Sequence, residues 1–250
     1  METQKNENRI DEKNLNLQNE TAVIDIPEQT GIVEVKKNKH VPLSKQFLIS
    51  RVYTTALIGY GVYIATNIAI NFILNIIFGP NNDSTSSNQD SLNNDFKNTD
   101  SVVLVLLVLY TCFGAPIIEE FIFRSIIFKT INWVGKKVQA KQKFFGILIR
   151  GFAFIFSSFI FAFAHYNFSF SLLIKEIRTF PPYFTMGLIF AWAYNRDGYY
   201  LASVATHSLN NIIATALSFL LIYFAPQTLD QSVIIIDLFK LNIIKLFSII

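Results

Sequence analysis

The stretch 102-VVLVLLVLYTCFGAPIIEEFIFRSII-127 decides how this chain folds. It exceeds the roughly 20 mostly apolar residues that a helix needs to cross a bilayer. Yet it carries Glu119, Glu120 and Arg124. A charge at the bilayer centre costs roughly 2.5 to 3.5 kcal/mol on insertion scales, so these groups need partners, water or a protein-lined cavity. On a helix Glu120 and Arg124 share a face and can pair, while Glu119 lies about 100° round and faces elsewhere. One carboxylate therefore reads as structural and the other as free.

The rest of the chain repeats the apolar pattern. Of its 250 residues 52% are hydrophobic, and the mean hydropathy is +0.38, too apolar for an ordinary soluble domain. The expected fold is all-α: a polytopic transmembrane bundle of about six membrane helices. Candidate spans are Val52 to Phe78, Val102 to Ile127, Phe144 to His165 and Leu201 to Phe224. Pro181, Pro182, Gly187 and Gly198 bracket a shorter segment, Tyr183 to Tyr194, and Val233 to Ile250 either spans or lies at the interface. Asn67, Asn71 and Asn75 recur every four residues and line one face of the first span, where they read as contacts to other helices. If Pro116 starts a new helix, convergence of the polar groups near mid-membrane requires kinks or tilts.

Residues 1–46 are polar and rich in Asn, Gln, Glu and Lys. They read as a disordered tail without a cleavable leader, ahead of a membrane domain over 47–250. Lys36, Lys37, Lys39, Lys45 and Arg51 precede the first span and place the N-terminus in the cytoplasm by the positive-inside rule. Gly79 to Asp100 holds four aspartates against Lys97 alone and reads as an outside loop with no fold of its own. The next connection holds Lys129, Lys136, Lys137, Lys141 and Lys143 with no acid, and returns to the cytoplasm. These lysines set topology and meet anionic lipid; no nucleic-acid module accompanies them. Cys112 is the only cysteine, which excludes an intrachain disulfide, and its apolar surroundings make it a small buried hydrophobe.

Two of the three histidines, His165 and His207, fall in apolar segments, and His207 is followed at i+4 by Asn211. A carboxylate, two imidazoles and an amide are the parts needed to activate water against a carbonyl: a base, a proton shuttle and donors for the developing oxyanion. Singly, each has a plainer role. Glu119 could be a packing contact, Asn211 a bridge between helices, and Arg124 a snorkelling cation. Together, in three apolar segments, they mark a buried polar site.

Three motifs occur in order: Glu119-Glu120-Phe121-Ile122-Phe123-Arg124 as Glu-Glu-x-x-x-Arg, Phe161-Ala-Phe-Ala-His165 as Phe-x-x-x-His, and His207-Ser-Leu-Asn-Asn211 as His-x-x-x-Asn. With them the chain resembles the CAAX protease and bacteriocin-processing (CPBP) family of intramembrane proteases. That family includes the type II CAAX prenyl endopeptidases and also goes by the abortive-infection domain. The resemblance covers about residues 102–224. It implies that Glu119 activates the attacking water with His165 assisting proton transfer, that His207 and Asn211 stabilise the oxyanion, and that Glu120 and Arg124 hold the geometry.

No cofactor is favoured, and a metal-independent glutamate mechanism is the expectation. Glu119, His165 and His207 could instead hold zinc, although there is no His-Glu-x-x-His. The expected function is an intramembrane endopeptidase in the cell membrane, cutting near the membrane surface in a peptide or lipid-anchored protein, with bacteriocin processing or immunity among its settings. The competing expectation is a non-catalytic membrane protein that uses the same cluster for packing or partner binding.

Overall fold

The structure, a computed structural model, describes residues 41–79 and 86–224. The expectations for residues 1–40 and for Val233 to Ile250 therefore lie outside the described residues. A short helix, α1 (Leu43–Gln46), leads into α2 (Ser50–Phe78), α3 (Ser87–Asn98) and the composite α4 (Ser101–Gln139). Then follow α5 (Lys143–Ala164), α6 (Phe170–Lys175), α7 (Phe180–Asp197) and α8 (Tyr200–Phe224). There is no strand among the described residues, and α2, α4, α5 and α8 are each long and apolar enough to cross a membrane.

Exposed Leu, Ile, Val and Phe side chains cover the outer faces of these four helices, as lipid contact requires. The interior is organised around α7, which packs on α2, α5 and α8 at once. Its Phe190, Ala191 and Ala193 are fully enclosed. Pro181 and Pro182 sit in its first turn, where a missing N–H costs nothing. Gly198 closes it in the left-handed region at φ 72°, with its N–H on the Tyr194 carbonyl.

Four local findings differ from the sequence expectations. The polar segment after Gly79 does fold in part: Ser86 caps α3 by accepting from the Gln89 N–H, and Phe96 is buried against Phe219 with ring centroids 5.0 Å apart. Of the lysines expected in one loop, Lys129, Lys136 and Lys137 stand on α4, whose helix continues to Gln139. Gln46, assigned to the tail by composition, is buried, and its Oε1 accepts from the Leu201 N–H at 3.0 Å. Finally, Pro116 starts no new helix.

Helix α4 instead runs through two π-helical segments, Tyr110–Gly114 and Phe121–Phe128, with the turn Ala115–Glu120 between them. Proline lacks the N–H that would continue an α-helical ladder, and its ring crowds the carbonyl four residues back. A wider i→i+5 turn just before it relieves that clash. Thus the Ala115 N–H reaches back to Tyr110, and the five-residue donor for the Thr111 carbonyl would be Pro116, which has none. One carbonyl is left open within the span.

Candidate active site in the helix bundle

Glu120 and Arg124 are both fully buried and pair at 3.0 Å, as their spacing predicts. The guanidinium does not snorkel. Its second terminal nitrogen donates to the Gly187 carbonyl of α7 at 3.0 Å. The Phe161 and Phe190 rings flank it, with centroids 4.5 and 5.3 Å from its central carbon. Two charge-assisted hydrogen bonds and two ring faces offset the desolvation of the cation.

Gly187 makes this possible by its size. A Cβ there would stand 2.9 Å from both Cα and Cβ of Ser158, so only glycine lets α7 approach α5 this closely with its carbonyl toward Arg124.

His207, buried on α8, joins the two carboxylates. Its Nδ1 lies 3.0 Å from Glu120 Oε1, and its Nε2 lies 3.9 Å from Glu119 Oε2. Since Glu120 already accepts from Arg124, it accepts from the imidazole too, which puts a proton on Nδ1 and leaves Nε2 toward Glu119. The sequence expectation that Glu119 faces elsewhere needs amending, because both carboxylates meet one imidazole from opposite sides. They differ in access. Glu120 is sealed, while the Glu119 side chain is 31% exposed. Even so, Glu119 Oε2 itself is buried and has no hydrogen-bond partner. A gap of 3.9 Å between two polar atoms suits a bridging water or a reacting oxygen.

His165 caps α5 and donates from Nδ1 to the Phe161 carbonyl at 2.9 Å, which leaves Nε2 as an acceptor. The chain turns immediately afterwards through Asn167 and Phe168, both at positive φ. Phe168 is a bulky residue in the left-handed region, a strained conformation that ends the helix at the histidine. The Phe161 ring contacts both imidazoles, with centroids 4.8 Å from His165 and 5.7 Å from His207. On another side His165 stacks on Tyr183, centroids 4.3 Å apart.

Asn211 donates to the Thr111 carbonyl at 2.9 Å and accepts from Asn210 at 3.2 Å. The carbonyl that Pro116 strands in the π segment is thus satisfied by the third motif. This bond fixes the carboxamide one turn beyond His207 and leaves its second N–H for a ligand. Cys112 is buried and donates to Thr215 at 3.8 Å, in keeping with a packing role.

Gly187, Asn210, Tyr183 and the Thr111 carbonyl were not foreseen. A backbone carbonyl has no letter in a sequence, although Pro116 one π turn after Thr111 was a usable signal. Among the described residues no three His, Cys, Asp or Glu side chains are grouped to hold a metal ion. The alternative zinc set of Glu119, His165 and His207 is not such a group in this geometry, although Glu120 holds His207 by Nδ1 and leaves its Nε2 to offer.

Residues 101–213 match the family model described as type II CAAX prenyl endopeptidase Rce1-like. This core is Rce1-like. The match covers just under half of the chain and contains every residue of the three motifs, including Glu119, Glu120, Arg124, His165, His207 and Asn211. The matched core is thus similar to a family of CAAX prenyl endopeptidases, and the four candidate spans make the chain a membrane protein. No curated protein and no solved structure matches it.

Proposed function

We propose that the chain hydrolyses a peptide bond close to the membrane surface, in a peptide or membrane-anchored protein, with Glu119 as general base. The observation that carries this is Glu119 Oε2: buried, unpartnered and 3.9 Å from His207 Nε2, on a residue that still reaches the outside. Water held there would give its proton to Glu119 as its oxygen attacks the scissile carbonyl. His165, with Nε2 an acceptor, assists the transfer toward the leaving amine. His207 donates from Nε2 to the oxyanion when that nitrogen carries a proton, and the free N–H of Asn211 is its companion donor.

Glu120 and Arg124 act through others. They hold His207 by Nδ1 and tie α4 to α7, so the donors stand in place before substrate arrives. The enclosure by Phe161 and Phe190 keeps bulk water from the ion pair. The lysine-bearing end of α4 faces the cytoplasm in this proposal.

The test compares protein termini in cells lacking the gene, complemented with wild type or Glu119→Gln at matched membrane levels. Cleavage products are expected with wild type only, a loss of about a thousandfold or more. Equal products from a folded, inserted Glu119→Gln protein would sink the proposal.

A further inference from the structure

A second polar site lies at the lysine-bearing end of α4, away from the carboxylates. A cavity of about 210 Å³ opens there between α4 and the end of α7, lined by Lys129, Asn132, Trp133, Lys136, Tyr194 and Asn195. Lys129 lies nine residues beyond Glu120 on α4, more than two helical turns from the carboxylates.

Its polar groups are arranged as donors. Arg150 donates to Asn132 Oδ1 at 3.2 Å, and Asn132 passes its own Nδ2 to Asn195 Oδ1 at 3.1 Å. Arginine has no acceptor, so the direction of this relay is fixed at its first member. Asn132 is itself 6% exposed, hence held rather than free to flip. At the end of the relay Asn195 has its Oδ1 engaged and its NH₂ donors left for a ligand. Lys129 and Lys136 are exposed, and among the described residues no carboxylate pairs with either. Two ammonium groups and an oriented amide donor describe a receptor for an oxyanion.

The surroundings say which one. The cavity sits where a membrane-crossing helix ends, with Lys137 over the Trp133 ring at 3.7 Å and the indole half exposed, the pattern of an interfacial belt. From the cavity toward the middle of the span, Ile126 and Ile122 are exposed apolar side chains against which an acyl chain can lie. We propose that this cavity binds the phosphate of an anionic phospholipid headgroup. A free phosphate would satisfy the same donors but would make no use of the apolar flank.

The full chain in nanodiscs of phosphatidylcholine, with and without phosphatidylglycerol, provides the test, with retained lipid read by native mass spectrometry. Wild type retains phosphatidylglycerol in preference to phosphatidylcholine. The double variant Lys129→Gln/Lys136→Gln loses about thirtyfold in apparent affinity. A control pair carrying the same charge change outside the cavity, Lys141→Gln/Lys143→Gln, stays within about threefold of wild type. Equal losses in both pairs would mean diffuse surface attraction and overturn the proposal.

Equal retention of the two lipids, or displacement of phosphatidylglycerol by inorganic phosphate at equal concentration, would overturn it as well. So would a double variant that is merely less stable with lipid retention unchanged, since the lysines would then serve only the C-terminal end of α7. Should the double variant fail to fold, Asn195→Asp replaces it. That change keeps the acceptor for Asn132 and turns the free donor into an acceptor, so phosphatidylglycerol retention falls if the site is as described, and unchanged retention refutes it.

Discussion

Helices α2 and α4 are both long, apolar and interrupted by polar residues four apart, yet only one of them builds a site. In α2, Asn71 is exposed and donates back to the Asn67 carbonyl and side chain at 2.9 Å. The lower part of that helix satisfies itself, apart from Asn75, which accepts from Arg178 at 3.2 Å. In α4, Glu120 and Arg124 are fully enclosed, and their partners lie on α7 and α8. Four-residue spacing is therefore common to both, and burial with partners on other helices is what separates a site from a satisfied surface.

Substitutions can break that contrast. Arg124→Ala strands Glu120 and the Gly187 carbonyl, and should cost about 3 to 5 kcal/mol in reversible unfolding of the detergent-solubilised protein. Arg124→Lys should recover only part of this, because an ammonium cannot reach both oxygens with a planar fork or stack between the rings. If Arg124→Ala were no worse than a change on α2, the buried pair would contribute nothing beyond packing. Gly187→Ala forces α7 away from Ser158 and should cost about 1 to 3 kcal/mol. It should also lower the cleavage rate more than Asn71→Leu does, as α7 carries the carbonyl that seats Arg124. Unchanged thermal stability in Gly187→Ala would mean the close approach is slack. Asn71→Leu, exposed and self-satisfied, should stay within about 0.5 kcal/mol of wild type, and a larger loss would reveal a partner on that face.

The Glu120–Arg124 pair was legible in the sequence because i, i+4 adjacency follows from helix geometry alone, and the ion pair survives although π turns begin at the next residue. The four long spans were legible from hydropathy. What escaped depended on the backbone register. Pro116 signalled a break, but whether a proline ends a helix or widens its turn is decided by what can satisfy the freed carbonyl, and here that is Asn211, 100 residues away. The placement of Glu119 was missed for a related reason: a facing angle taken from one helix says nothing of a ring such as His207 large enough to touch two faces. Helix α3 was missed because its sequence is polar, and it is held by a cap, one phenylalanine and hydrogen bonds from Ser87 to Glu176 and from Gln89 to Ser218 rather than by a periodic apolar stripe.

Helix α7 supplies the Gly187 carbonyl, the Phe190 ring and the Tyr183 stack, yet it is not among the helices apolar enough to cross a membrane alone. Its residence in the bundle is paid for by α2, α5 and α8. Its packing against α2, α5 and α8 needs all three neighbours in place, and α8 is made after it. The cluster of Glu119, Glu120, Arg124 and His207 consequently cannot assemble on a nascent chain until α8 has emerged, because its imidazole stands on that helix.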